Sequence, residues 1–361
     1  MLKGRIKARV SQEYQYAINQ YNDALNKVST DVSLAATLFK FTIHEHLSSL
    51  HGLILQPTPA LTHLNRYREI AYQLRNDYFI ASAELMLGRY YNRVSEQAKS
   101  LQHYTEAFRV SSRTRYSGLK AMAQLNLART YRDLDQWDEA LKHAHDAAIS
   151  FQELGRGPYV SEAFVVIAMT YAAQEKWNKA IDHYLNAQQI NEDLGNELAQ
   201  ALANHNIAEA YYNLNNPSAA LTYINMANEI FRAKNVKHYL VANESLYAQI
   251  LIKQQMWPQA IEHANQSLAI AREKGLIEQE LESLKHLSTA YRNSGELNLA
   301  LDVIDNIIAL TQAQEKQKHE TNSDNNTELT EQKLKFELGL QQAKLSQKLM
   351  IISKSNLLSF C

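Results

Sequence analysis

Ala140, Ala180, Ala220, Ala260 and Ala300 are spaced by forty residues without a gap. Seven residues further on stand Ala147, Ala187, Ala227, Ser267 and Ile307, and nine residues before each alanine stand Tyr131, Tyr171, Tyr211, Leu251 and Tyr291. Tyr91, Ser100 and Ala107 extend the pattern one unit earlier, and Ala60 and Tyr67 keep the phase once more. Trp137, Trp177 and Trp257 share a single position in the unit. A period of this length marks stacked supersecondary units, none of which buries its apolar face alone.

Within each unit the apolar spacing is helical. Leu125, Ala128 and Tyr131 fall at i, i+3 and i+6, and Leu141, Ala144, Ala147 and Ala148 continue the stripe on a second segment. Between the segments, Asp135 is the expected N-cap of the second helix. Gly155, Gly195, Asn235 and Gly275 close successive second helices, where a left-handed residue is tolerated. Pro217 and Pro258 sit where second helices begin, and Pro158 sits between units. The pattern predicts an all-α, right-handed superhelical solenoid of antiparallel helix pairs. Small residues let paired helices approach, and tyrosines and tryptophans fill the gaps between neighbouring pairs.

Composition narrows the functional classes. The 361 residues are 45% hydrophobic, ample for a large core, and carry only 10 glycines, too few for the Gly-rich phosphate loops of α/β enzymes. The single cysteine, Cys361, excludes an intramolecular disulfide framework and a cysteine zinc cage. A net charge of -1 gives no global field for nucleic acid. The N-terminus has basic residues without an apolar h-region, and no apolar run is long enough to span a bilayer.

Leu87-Gly88-Arg89-Tyr90-Tyr91, followed by Ser100, Tyr104 and Ala107, resembles the tetratricopeptide repeat. The resemblance covers roughly residues 55–315, as about six units of forty residues, longer than the usual unit of that family. Units of this length resemble those of kinesin light chains, spindle-orientation adaptors and bacterial signalling proteins. The family's first-helix tryptophan is absent, with Gln124 and Phe164 at its position. Residues 1–54 are helical in pattern but out of phase, as capping helices or a degenerate repeat. Tyr14, Ala17, Tyr21 and Ala24 carry that pattern.

A polar linker is expected over 316–328 and an amphipathic or coiled-coil helix over 329–361. Leu338, Leu345 and Ile352 are spaced by seven, but Gln341, Lys348 and Gly339 weaken the seam. Residues 331–338, Glu331-Gln332-Lys333-Leu334-Lys335-Phe336-Glu337-Leu338, resemble the connector that follows tetratricopeptide arrays in diguanylate cyclase and histidine kinase sensors.

The chain has no nucleotide-binding, nucleophile-elbow or HExxH motif. His44, His46 and His51 lack the i, i+4 geometry of a helical metal site, and His143 and His145 point to different faces. No catalytic residue, cofactor or metal is therefore assigned. The family resemblance implies that first helices line a concave groove. It places Arg89, Asn92 and Arg93 there, then Asn126, Arg129, Arg132 and Asp133. A later unit contributes His205, Asn206, Glu209, Tyr212 and Asn213, and the C-terminal units Lys253, Lys285, Arg292 and Asn293. Asn126 and Asn206 share one position and resemble residues that grip a peptide backbone, since an amide donates and accepts at once. Arg89, Arg93, Arg129 and Arg132 form a basic wall suited to carboxylates of an acidic peptide. Solvated arginines, or arginines paired with Asp133 or Glu84, fit the same sequence.

The expected function is non-catalytic binding of a protein or peptide by a scaffold or bacterial sensory module. Two alternatives stay open. One is the periplasmic sensor part of a membrane-bound cyclase or kinase lacking its output domain. The other is a structural oligomer, such as a homodimer through 329–352. The compartment is cytoplasmic as the sequence stands, and periplasmic for a fragment of a membrane sensor.

Overall fold

A computed structural model describes residues 2–316, with side chains from residue 13 onward. The linker expected at 316–328, the helix at 329–361, the homodimer seam at 329–352 and the connector-like residues 331–338 lie outside the described residues, apart from Lys316.

Every described element is a helix. The first 236 residues form one compact unit. It opens with α1 (Leu2–Lys27), α2 (Leu34–Leu53) and α3 (Pro57–Gln73). Next come α4 (Asp77–Arg93), α5 (Gln97–Ser111), α6 (Ser117–Asp133) and α7 (Trp137–Glu153). The unit closes with α8 (Gly157–Ala173), α9 (Trp177–Asp193), α10 (Glu197–Asn213) and α11 (Pro217–Ala233). The second unit, from Lys237, contains α12 (Lys237–Lys253), α13 (Trp257–Lys274) and α14 (Ile277–Ser294), then a helical segment over 297–316. In each unit successive helices pack as antiparallel pairs, giving tetratricopeptide-like stacking.

The structural beat is twenty residues rather than forty. First helices begin at Asp77, Ser117, Gly157 and Glu197, and second helices at Pro57, Gln97, Trp137, Trp177 and Pro217. Between them recurs a left-handed residue: Leu55, Arg75, Ser95, Asp135, Gly155, Glu175, Gly195, Asn215 and Asn235 all have positive φ. All but Arg75 close a Schellman-type turn. In the α6–α7 turn the Asp135 N–H donates to Arg132 O at 3.0 Å and the Gln136 N–H to Tyr131 O at 2.9 Å. Asp135 is therefore not the N-cap of α7. That position is Gln136, and Asp135 ends α6 with φ 58. The left-handed conformation expected at Gly155, Gly195, Asn235 and Gly275 is present at all four. The turn after α5 departs from this form: α5 ends two residues early, the loop takes up 112–116, and α6 still begins on the beat.

Ala140, Ala180 and Ala220 are fully buried at helix contacts, and Ser100 in the same position donates its hydroxyl to Gly88 O at 3.0 Å. Gly88 is required there. A Cβ on it would stand 2.4 Å from a ring carbon of Tyr104, itself 1% exposed. Several core clusters span a first helix, its second helix and the next first helix. One unites Leu125 and Ala128 of α6, Ala144 and Phe151 of α7, and Ala163 and Ile167 of α8. Burial of a Leu or Phe contributes about 1.5–3 kcal/mol, so no hairpin closes its core without its neighbour. The register starts earlier than residue 55: α2 pairs with α3, and Ile18 of α1 packs on Ile43 and Leu47 of α2.

Candidate functional site

Besides their pairing with second helices, α4 touches α6 and α6 touches α8, so the first helices line one face of the stack. Residues one helical turn apart on these helices share that face. Seventeen-residue helices starting on a fixed beat bring the same positions of successive helices side by side.

At the start of this face lies a cavity of about 410 Å³, within the range of ligand pockets. It is bounded by the end of α2 (Ser48, Ser49, Gly52), the α2–α3 turn (Leu55, Gln56) and the start of α3 (Pro57, Ala60, Leu64). Met86, Arg89, Tyr90, Arg93 and Val94 close it on the side of α4. The floor is apolar and the rim carries two guanidinium groups. Glycine at position 52 matters to that rim, because Arg93 Nη1 stands 3.0 Å from where a Cβ would be. Arg89 and Arg93 are both exposed, and no carboxylate among the described residues pairs with either.

The remaining basic wall is different. Arg129 is ion-paired to Glu162 of α8. Arg132 binds its neighbour Asp133 through Nε at 3.0 Å and Nη2 at 2.7 Å, and Nη1 reaches Met169 Sδ at 3.3 Å. The four arginines thus divide into two that are engaged and two that are free to meet a ligand. Asn126 is buried and its amide donates to Met122 O at 2.9 Å, so it is turned into its own helix rather than toward a peptide. Asn206 is half-buried on α10, as are His205 and Tyr212, while Glu209 and Asn213 are exposed. The Asn213 amide donates to Glu209 O at 2.9 Å. In the second unit, Asn293 donates to Thr289 O at 2.8 Å.

Sequence reasoning passed over a row of rings. His63, His103, His143, His183 and His263 recur at multiples of forty, which was the available signal. Three of them stack on the repeat tyrosine: Tyr91–His103 at 5.2 Å, Tyr131–His143 at 5.5 Å and Tyr171–His183 at 5.5 Å between centroids. His263 stacks on Tyr247 instead, because Leu251 replaces the tyrosine. His51 takes the tyrosine position in the α2–α3 hairpin and stacks on His63 at 5.4 Å. His44 joins them, its Nδ1 3.0 Å from Nδ1 of His63. No group of three His, Cys, Asp or Glu side chains arranged to hold a metal occurs among the described residues. Nor is any described helix long and apolar enough to cross a membrane.

The family model described as Tetratricopeptide repeat matches residues 119–185 and 159–233. No curated protein sequence matches the chain. Among solved structures, Aspartyl phosphate phosphatase F from Bacillus subtilis is similar with TM-score 0.62 and 14% identity, covering 81% of this chain and 75% of that one. The apo form of the quorum sensor NprR from B. thuringiensis gives TM-score 0.55 and 12% identity, over 86% of this chain and 100% of that one. A Rap protein complexed with Competence and Sporulation Factor gives 0.50 and 15%, over 85% and 99%. At these identities the likeness is one of fold. The tetratricopeptide match spans residues 119–233, and these neighbours are an aspartyl phosphate phosphatase, a quorum sensor and a Rap protein rather than diguanylate cyclase or histidine kinase sensors.

Proposed function

We propose that the protein is a non-catalytic receptor for a peptide or protein segment with apolar and acidic residues, anchored in the α2–α4 pocket and lying along the first-helix face. The observation that carries this reading is the pair of unneutralised guanidinium groups, Arg89 and Arg93, on the rim of an apolar cavity. An apolar side chain gains burial on the floor while a carboxylate gains charge-assisted bonds at the rim. Farther along the face, Asn206, Glu209, Tyr212 and Asn213 offer polar contacts, and Met169, 38% exposed, offers an apolar one. Arg129 and Arg132 contribute only by exchanging Glu162 and Asp133 for ligand carboxylates.

The neighbours support a place in signalling. NprR is described as a quorum sensor, and the Rap protein was solved with Competence and Sporulation Factor bound. The narrower kinship with a cyclase or kinase sensor rests on residues 331–338 alone.

A fluorescein-labelled peptide of alternating leucine and glutamate tests the reading by anisotropy. Replacing both Arg89→Glu and Arg93→Glu is expected to weaken its binding at least about tenfold, with the melting transition unchanged. Equal affinity of the wild type and the double variant rejects the pocket as the anchor.

A further inference from the structure

We propose that the histidine cluster His44–His51–His63 makes the α2–α3 hairpin a pH-sensitive latch, which shapes the α2–α4 pocket near neutrality and releases it in mild acid. The consequence for binding rests on the pocket reading above; the latch itself does not.

The cluster and the pocket are two sides of one hairpin. His44 and His51 are buried on α2, and His63 faces them from α3. Among and beside them on the sequence, Ser48, Ser49 and Gly52 of α2 and Ala60 and Leu64 of α3 line the cavity. The Gln56 side chain joins the two sides: its Oε1 lies 2.8 Å from His51 Nδ1, and Gln56 also lines the pocket. Its backbone N–H donates to His51 O at 2.9 Å, and its carbonyl accepts from Ala60 N–H at 3.2 Å.

The arrangement requires that one of the two facing Nδ1 atoms stay unprotonated. Two Nδ1 atoms at 3.0 Å make a hydrogen bond only when one carries a proton and the other does not. Protons on both Nδ1 atoms set two N–H groups against each other, and His51, stacked on His63 at 5.4 Å, acts against protonation of that ring. The charged groups around the cluster give little relief. On α3, Arg66 is bound to Glu69 at 2.6 Å, so the one carboxylate acting favourably on His44 from that helix is already engaged. Glu45 of α2 acts on Tyr67 across the hairpin. From α4 the pocket rim adds Arg89 and Arg93, both cationic.

Burial, with His63 and Arg66 adding to it, holds His44 down at about 4, and burial together with His51 lowers His63. A histidine depressed in the closed form stabilises that form fully above the free value of about 6.5 and loses it as pH falls from there toward 4. The open hairpin takes up the protons that the closed one refuses.

Hydrogen exchange on the full chain, corrected for intrinsic rate, tests this at amides 52–60 between pH 7.5 and 5.0. Wild type is expected to lose protection there about tenfold or more in acid, and His63→Gln to lose much less. His44→Gln provides a second variant should His63→Gln fold poorly. The leucine–glutamate peptide is measured alongside; its own titration is common to wild type and variant, so the difference isolates the cluster. Affinity is expected to fall in acid for wild type more than for His63→Gln. Equal protection at both pH values overturns the latch, as does an acid loss undiminished in both variants. Acid-dependent protection without peptide binding at any pH upholds the latch and rejects the pocket reading.

Discussion

The hairpins α4–α5 and α6–α7 hold the same ring in the same place under opposite electrostatics. In α4–α5, His103 stacks on Tyr91 and its Nδ1 lies 2.6 Å from Oε2 of Glu84, a fully buried carboxylate. Arg68 Nε donates to Glu84 Oε1 at 2.6 Å and the Tyr72 hydroxyl donates to it at 3.0 Å. Burial pushes the Glu84 carboxyl up, but the bonds from His103 and Arg68 outweigh it, and the net shift is downward. In α6–α7 the equivalent of Glu84 is Gln124, whose amide turns away to Asp146 at 3.1 Å. His143 keeps its tyrosine but has no partner for its buried Nδ1, and burial lowers it. In α8–α9 the equivalent is Phe164, and His183 repeats the unpartnered Nδ1 and the lowered value. Packing alone therefore retains the ring from hairpin to hairpin, while one residue on the first helix decides whether it sits beside a charge. The Glu–His pair returns at Glu244 and His263 in the second unit, at 2.5 Å.

The strongest way to break the contrast is Glu84→Gln. It strips the carboxylate from Arg68, Tyr72 and His103 together, and is expected to cost about 3 kcal/mol in urea unfolding at pH 7. Gln124→Glu, which restores the carboxylate beside His143, should change stability far less. A cost of Glu84→Gln below about 1 kcal/mol would show that Glu84 is not what separates the two hairpins.

Next in size is the pH response. His143 and His183 are depressed, so their neutral forms stabilise the fold above about 6.5, and that contribution is lost as pH falls below it. Glu84 works in the other window: a lowered carboxyl contributes above its ordinary value of 4.5 and loses this only as pH falls through its folded value. Between pH 7 and 5.5 the sag in stability should come from the histidine hairpins. Replacing His143→Phe and His183→Phe should flatten it by about 1 kcal/mol. An equally steep decline in the double variant would assign it elsewhere.

The smallest effect concerns the turns. Asp135 and Glu175 hold left-handed backbone at φ 58 and 57 where Gly155 and Gly195 hold it without a Cβ. Asp135→Gly or Glu175→Gly is expected to stabilise by about 0.5–1 kcal/mol in thermal unfolding. A loss of stability would mean that the acidic side chains contribute more than the backbone strain costs.

The fold was legible because its determinants are periodic. Ala140, Ala180 and Ala220 repeat in sequence what they do in space, and the composition leaves no competing class. Asp135 was misplaced because a capping preference is a local rule, whereas the Schellman turn is set by how the preceding helix ends. The functional face was harder to read. Arg89 and Arg129 occupy the same position and look alike on paper. What separates them is Glu162, thirty-three residues beyond Arg129, which meets it only after α8 is stacked on α6. The pocket needs three elements at once, and its decisive residue, Gly52, is notable for the atom it lacks. The histidines at forty-residue spacing were in plain view, but short-range metal spacing is the wrong ruler for rings that meet tyrosines across a hairpin.

The twenty-residue beat has a consequence for how such a chain changes length. First and second helices alternate strictly, so a forty-residue insertion adds a pair and leaves every downstream side chain on its original face. An insertion of twenty would turn each following first helix into a second helix, moving the groove residues beyond it to the outside. Length is therefore heritable only in whole pairs. The turn after α5 shows the tolerance within a beat: α5 gives up two residues, the loop absorbs them, and α6 starts on time.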